Sequence, residues 1–211
     1  MTPRTRAWIL TALLACWANP ALAESDFEAE IRLLSESLEL EAGSAVADIG
    51  AGDGEYAIAL AGIVGSDGRV YATELGAEDR AAIAEAAQEA GASVSVVEAR
   101  VDGTGLPAES CDGVFLRTVY HHLTEPEAFT KDLLATVRPG GRLVIVDFLP
   151  SFWLSFSIPD GIPDDRGGHG VPPEVVIREL ESAGFRHLKT VEQWPGHGFI
   201  TKTYGLVFER P

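Results

Sequence analysis

The chain has 211 residues, of which 46% are hydrophobic, and its formal net charge at pH 7 is −16. This length and hydrophobic content are sufficient for one domain with a buried hydrophobic core. The acidity argues against nucleic acid or an anionic membrane as the main partner, because phosphate binding needs clustered lysine and arginine.

Residues 1–23 have the pattern of a signal peptide. A cationic start precedes a short apolar run, and the segment ends in the small-x-small sequence Ala-Leu-Ala. The run is shorter than the ~20 residues that a membrane-spanning helix needs. We therefore expect cleavage before Glu24, export and a periplasmic location. Two alternatives stay open, which are acylation of Cys16 as in a lipoprotein and an uncleaved anchor.

Cleavage there would leave a mature domain of residues 24–211. It would remove two arginines and no acid, so the net charge would move from −16 to −18. Cys111 would then be the one remaining cysteine, which excludes an intramolecular disulfide and a metal site built from cysteines. We expect no transmembrane helix in the mature form, with peripheral or lipid anchoring as the alternative.

The mature chain is predicted to begin with an amphipathic helix. Ser25 and Glu28 have the spacing of a capping box. Apolar residues then recur at helical spacing as far as Leu38, and Gly43 is placed to end the helix.

Strand and helix patterns alternate through the rest of the chain. Alternation at this length predicts a single α/β domain with a mostly parallel sheet that is covered on both faces. The last two strands are joined by a short loop and predict an antiparallel pair. Strands are predicted at 44–49, 68–75, 92–99, 112–119, 141–148, 185–194 and 201–210, and helices at 55–64, 77–91, 125–137 and 172–184.

Residues 149–171 interrupt this alternation and are called the flap below. They combine several prolines and glycines with bulky aromatic residues. Loops this long are usually functional or disordered, and the aromatic residues favour an ordered flap. Phe152, Trp153 and Phe156 are placed either to line a pocket for an apolar acceptor, to pack on the sheet, or to lie on a membrane surface.

A glycine loop, residues 50–54, follows the first predicted strand and precedes a helix. In an open parallel sheet, ligands bind at the carboxyl ends of the strands. Gly50 and Gly52 permit a tight turn and the close approach of a ligand to the backbone. The third glycine, Gly54, comes one position too early for the dinucleotide fingerprint, and no Gly-Lys-Ser/Thr follows for a phosphate loop.

Acidic residues surround this loop and favour a ligand that carries positive charge. Asp48 and Asp53 would repel a pyrophosphate. Glu74 ends the second strand, where an acid can accept hydrogen bonds from both hydroxyls of a ribose. Asp102 follows the third strand and is placed to bind the amino edge of an adenine. A cationic nucleoside without phosphates fits these acids, and S-adenosylmethionine has that chemistry.

The ordered series "DIGAGDG", Glu74, "VDGTGLP" and "YHHL" resembles the class I S-adenosylmethionine-dependent methyltransferases of the small-molecule type. The resemblance is strong over residues 44–148 and weaker in the closing region. It implies a Rossmann-like, doubly wound sheet of seven strands, mostly parallel with an antiparallel last strand.

The resemblance also implies which residues bind the cofactor. The amino-acid end would lie on the glycine loop, the ribose on Glu74, the adenine beside the third strand, and the sulfonium near the end of the fourth strand. The residues implied are Asp48, Gly50, Gly52, Glu74, Asp102, Gly103 and Arg117.

His122, after the fourth strand, and His169, on the flap, are the catalytic candidates. Methyl transfer is an in-line displacement at a sulfonium, so positioning supplies most of the rate and a base is optional. Packing or hydrogen bonding is the alternative role for His122, and an exposed loop position is the alternative for His169. A metal at Asp164, Asp165 and His169 rests on sequence proximity only, and no metal is expected.

These patterns predict an exported methyltransferase that uses S-adenosylmethionine and acts on an unidentified small molecule as methyl acceptor. The first alternative is a catalytically silent protein of the same fold that binds a nucleoside or metabolite. The second is a dinucleotide-dependent oxidoreductase, which the position of Gly54 disfavours.

Overall fold

The computed structural model describes residues 25–151, 160–196 and 202–211. Within these ranges, seven strands form one sheet and five α-helices cover it. The strands are β1 (Ala45–Ile49), β2 (Arg69–Glu74), β3 (Val94–Glu98), β4 (Cys111–Arg117), β5 (Val137–Phe148), β6 (Arg186–Val191) and β7 (Thr203–Glu209). The helices are α1 (Asp26–Ser37), α2 (Glu55–Val64), α3 (Ala77–Glu89), α4 (Pro126–Thr136) and α5 (Pro173–Ala183).

The strand order in the sheet is β3-β2-β1-β4-β5-β7-β6. The first five strands run parallel, and β7 is antiparallel to both of its neighbours, β5 and β6. The predicted seven-stranded, mostly parallel α/β sheet with an antiparallel last strand is therefore confirmed. Between β1 and β4 the order of strands reverses, and this is where open α/β sheets have their ligand-binding crevice.

Two hydrophobic cores lie on opposite faces of the sheet, because successive residues of a strand point to opposite sides. On one face, α1, α2 and α3 contribute Leu34, Leu60 and Ile83. On the other face, α4 and α5 contribute Leu133 and Leu180. The sheet is thus doubly wound, as predicted. The helices cover its two faces, and the edge at the carboxyl ends of the strands remains open to a ligand.

The first helix begins as predicted but ends earlier. Ser25 and Glu28 form the capping box, in which the Ser25 side chain accepts a hydrogen bond from the Glu28 N–H. The helix ends at Ser37 and not near Gly43, because Glu39 adopts a left-handed conformation with φ 54°, which a continuing helix does not permit.

In the described part of the flap, one contact closes the flap on itself and another ties it to the domain. Ser151 pairs with His169 in an isolated antiparallel bridge. Arg166, in the 3-10 helix Asp164–Arg166, is fully buried, and its guanidinium donates to the Glu179 carboxylate of α5. The flap residues Phe152, Trp153 and Phe156 lie outside the described residues, as does the predicted signal peptide. Among the helices of the described ranges, none is long and apolar enough to cross a membrane.

Candidate functional site

A cavity of about 330 Å³ opens at the carboxyl ends of β1, β2 and β4. Its walls include Gly50 from the glycine loop, Glu74 and Leu75 from the end of β2, Val101 from the segment after β3, and His122. The cavity therefore lies at the reversal of strand order and contacts three of the predicted site residues.

The glycine loop turns sharply between β1 and α2. Gly50 has φ 71°, and a Cβ at this position would lie 2.6 Å from a methyl group of Val119. Gly52 has φ 60°, and its N–H donates to Glu74 Oε1 at 2.9 Å. Both positions thus need the conformational freedom of glycine, and the turn brings the loop backbone against the end of β2.

Glu74 presents a fixed carboxylate to the cavity. While Oε1 accepts from Gly52, Oε2 accepts from the N–H of Leu75 at 3.0 Å. A carboxylate oxygen has more than one acceptor position. Each oxygen can therefore accept a further hydrogen bond from a ligand hydroxyl without losing its backbone donor.

Asp48 is buried at the base of the glycine loop, with only 3% of its surface exposed. Burial raises its pKa to about 8, with Glu74 and Asp53 adding to the rise and the positive charge of Arg117 opposing it. A cationic ligand group near this carboxyl would favour its ionised form. A cationic group bound here would therefore gain an ionised Asp48 as its partner.

Arg117, at the end of β4, is held by a buried acid that the sequence did not single out. Its guanidinium donates to both carboxylate oxygens of Glu30, at 2.9 and 3.2 Å, and lies 4.6 Å from the centre of the Tyr56 ring. Glu30 is 1% exposed and also accepts from the Tyr56 hydroxyl and, at 2.9 Å, from the Trp194 indole. We call Glu30, Tyr56, Arg117 and Trp194 the Glu30 network.

Asp102 and Gly103 form a tight turn immediately after the cavity wall. The Asp102 carboxylate accepts from Arg100 Nε at 3.0 Å and is about half exposed. Gly103 is packed so closely that a Cβ would lie 2.7 Å from the Asp132 carboxyl carbon. The turn thus sits at the edge of the cavity, with the Asp102 side chain engaged by Arg100.

Three histidines, His121, His122 and His169, meet on the other side of the cavity, and we call them the histidine cluster. The ring centres of His121 and His122 are 4.0 Å apart, and those of His121 and His169 are 4.9 Å apart. His169 thus joins the site from the flap, far away in sequence. Partial burial, more than the neighbouring imidazoles, lowers the pKa of His122 to about 4 and lowers that of His169 as well.

His121 is the buried member of the cluster. Its Nδ1 lies 2.8 Å from Oδ1 of Asp147, which is fully buried, and its backbone N–H donates to Oδ2 of the same carboxylate at 3.1 Å. Asp165, which lies near His169 in the sequence, pairs with Arg178 at 2.6 Å. The sequence contains these histidines but does not indicate that the two segments that carry them meet in the fold.

This architecture is the Rossmann-like fold of the class I methyltransferases, and the comparisons with known proteins agree with it. Residues 47–145 match the family described as the methyltransferase domain. The chain is similar to a SAM-dependent methyltransferase from Aquifex aeolicus, with 25% identity, a TM-score of 0.67, and coverage of 86% of this chain and 90% of that one.

Two further structures share the fold at lower identity. A SAM-dependent methyltransferase from Methanosarcina mazei has 15% identity and a TM-score of 0.65, over 81% of this chain and 94% of that one. The cyclase SpnF has 17% identity and a TM-score of 0.69, over 86% of this chain and 80% of that one. The domain match and these structures agree on the Rossmann-like fold of the class I methyltransferases.

Proposed function

We propose that this protein is an exported methyltransferase that transfers the methyl group of S-adenosylmethionine to a small molecule. The observation that carries the proposal is the Glu74 carboxylate, which two backbone N–H groups fix at the cavity wall. Beside it, the buried Asp48, whose pKa burial raises to about 8, would ionise when a positively charged ligand group binds next to it. S-adenosylmethionine offers a ribose for Glu74 and a positively charged methionine part for Asp48.

The proposal assigns the following roles to the cofactor residues. Glu74 accepts from the ribose hydroxyls, and Asp48, Gly50 and Gly52 contact the amino-acid end. Asp102 and Gly103 flank the adenine, with the apolar side chains of Leu75 and Val101 lining that end of the cavity. Arg117 stands behind this site and, through its ion pair with Glu30, fixes α1 against the end of β4.

When bound, S-adenosylmethionine supplies a methyl group activated by its sulfonium. The protein's part is to hold that group in line with the acceptor and to keep competing water away. His122 lines the cavity and His169 lies beside it, with ring centres 5.7 Å apart. We place the acceptor against these two rings, which offer nitrogen atoms for hydrogen bonding or proton transfer.

The test is to incubate the purified mature protein with S-adenosylmethionine and a metabolite extract, and to follow the products by mass spectrometry. We expect formation of S-adenosylhomocysteine together with a methylated compound, and neither in the absence of protein. Calorimetry that shows binding of NAD, and no binding of S-adenosylmethionine or S-adenosylhomocysteine, would overturn the proposal.

A catalytically silent binding protein of the same fold is the second candidate. The predicted signal peptide favours it, because S-adenosylmethionine is made in the cytoplasm and an exported enzyme would need a separate supply. This candidate predicts binding of S-adenosylmethionine or its demethylated product with no methylated compound from any extract.

Export itself is tested by the intact mass of the protein from its native cell envelope. We expect a mature N-terminus at Glu24, one residue before the Ser25 cap of α1. A start at an acylated Cys16 would make the protein a lipoprotein, and a retained Met1 would contradict cleavage.

A further inference from the structure

The histidine cluster has the geometry of a metal-binding group. One ring nitrogen from each of His121, His122 and His169 lies within 4.8 Å of the other two. Nitrogens bound to one tetrahedral ion at about 2.0–2.1 Å are about 3.3–3.4 Å apart. To bind one ion, these atoms therefore have to approach one another by at most about 1.5 Å.

Asp147 already orients the buried member of the cluster. Because its carboxylate accepts from Nδ1–H of His121, the Nε2 atom of that ring keeps the lone pair with which it could bind an ion. Asp147 is in turn held by the N–H groups of His121 and Phe148, at 3.1 and 2.8 Å. A carboxylate behind a ligating histidine is the usual arrangement in metal sites, where it fixes the tautomer and the ring orientation.

We infer that His121, His122 and His169 form a binding site for one divalent transition-metal ion, with Zn²⁺ as the reference ion. Imidazole ligands suit zinc, copper, iron and nickel, whereas magnesium and calcium require oxygen ligands. Three protein ligands leave a fourth coordination position open, as in catalytic zinc sites. The His122 side chain is only partly buried and reaches solvent, so an ion has access to the site.

The open position would lie at the edge of the proposed cofactor cavity, since His122 belongs to both. An ion there binds an acceptor that carries a hydroxyl or thiol group and lowers the pKa of that group, releasing its proton to water. This role, and the acceptor class that it selects, rest on the proposed methyltransferase function. The metal site itself rests on the cluster geometry alone.

The experiment uses the mature protein without a histidine tag, after metal has been removed with a chelator and the chelator by dialysis. Titration with Co²⁺ is followed by visible absorption, and Zn²⁺ is then added in competition. We expect one ion per chain, and displacement of Co²⁺ by Zn²⁺. His169→Ala should lower the affinity about 100-fold or more, since even outer carboxylates contribute 10–100-fold. Asp147→Asn should lower it within that smaller range.

His187→Ala is the matched control. That ring lies against Phe208, with ring centres 5.2 Å apart, away from the cluster, so the substitution should leave the metal affinity unchanged. His121→Ala removes a buried ring and is a harsher change, so the partly exposed His169 keeps the test decisive if that variant fails to fold.

Binding of S-adenosylhomocysteine is measured on the same samples. If the stripped protein binds no Co²⁺, or if His169→Ala binds it as the unchanged protein does, the metal site is overturned even where the nucleoside binds. If Co²⁺ binds through the histidines but neither S-adenosylmethionine nor S-adenosylhomocysteine binds, the metal site stands and the proposed function fails.

Discussion

At the end of β2, the two oxygens of Glu74 accept from Gly52 and Leu75 and face the cavity. Glu74→Ala would leave the ribose hydroxyls without their charged acceptor. Hydrogen bonds to charged groups contribute about 1.5–3 kcal/mol, so the affinity for S-adenosylmethionine should fall by about one to two orders of magnitude. Calorimetry measures the change.

Glu98→Ala is the matched control for that prediction. Glu98 ends the neighbouring strand in register with Glu74, but it is exposed and pairs with Arg80 at 3.5 Å. Its removal should leave the affinity unchanged. Equal losses in both variants, or no loss in Glu74→Ala with the fold intact by circular dichroism, would place the ribose elsewhere.

Asp48 makes the stability of the protein depend on pH. Burial raises its pKa in the folded protein to about 8, whereas an unfolded aspartate titrates near 3.9. Between these values the folded state binds more protons than the unfolded state, so the free energy of unfolding falls as the pH rises from about 4 to about 8. The loss is on the order of a few kcal/mol.

Asp48→Asn should remove most of this loss, because the amide is neutral throughout the range. Urea unfolding at about pH 5 and about pH 8 measures it. We expect the variant to be the more stable protein at the higher pH, while Asp67→Asn, at an exposed turn, behaves like the unchanged protein. Parallel pH curves for the variant and the unchanged protein would contradict the assignment.

Individual site residues were predictable where a strand end fixes them. Glu74 ends β2 and Gly50 follows β1, and the carboxyl ends of parallel strands meet at one edge, so their order and spacing indicate the edge where the cavity lies. Glu30 was not predictable, because an acid in an amphipathic helix normally lies on the solvent side. Asp102 lies in the predicted turn, but its pairing with Arg100 depends on local side-chain geometry.

At the scale of elements, α1 is joined to the site through one buried acid. Glu30 holds Arg117 of β4, Tyr56 of α2 and Trp194 of the segment before β7. Glu30→Ala would leave the Arg117 charge without its partner. Breaking a buried pair in this way costs about 3–5 kcal/mol, and urea unfolding should show a loss of that size.

The matched control, Glu36, lies six residues after Glu30 on the same helix. Glu36 is exposed and pairs with Arg32 at 3.4 Å, so Glu36→Ala should change the free energy of unfolding by about 0.5 kcal/mol or less. If Glu30→Ala is as mild as Glu36→Ala, the Glu30 network does not hold α1 to the sheet.

The flap shows why elements are easier to predict than their partners. Its interruption of the strand and helix alternation was visible in the sequence, and so was the helix that follows it. Its contacts were not, because the Ser151–His169 bridge and the burial of Arg166 against α5 join residues that no local pattern connects. The histidine cluster has the same origin, since His169 reaches His121 only through the folded chain.

For the whole molecule, the site should couple ligand binding to stability. A ligand at about 100 times its dissociation constant that binds only the folded state adds about 2.7 kcal/mol to the free energy of unfolding. In a domain of this length, 1 kcal/mol corresponds to about 2–4 °C. S-adenosylhomocysteine should therefore raise the unfolding temperature by about 5–10 °C in a thermal-shift measurement.

NAD at the same concentration should produce no shift, because Asp53 in the glycine loop opposes its pyrophosphate and the loop lacks the dinucleotide spacing. Glu74→Ala should show a smaller shift than the unchanged protein at equal S-adenosylhomocysteine, and should recover it as the concentration rises, since the substitution lowers affinity and not capacity. A larger shift with NAD than with S-adenosylhomocysteine would mean that the cavity serves a dinucleotide, and the methyltransferase proposal would fall.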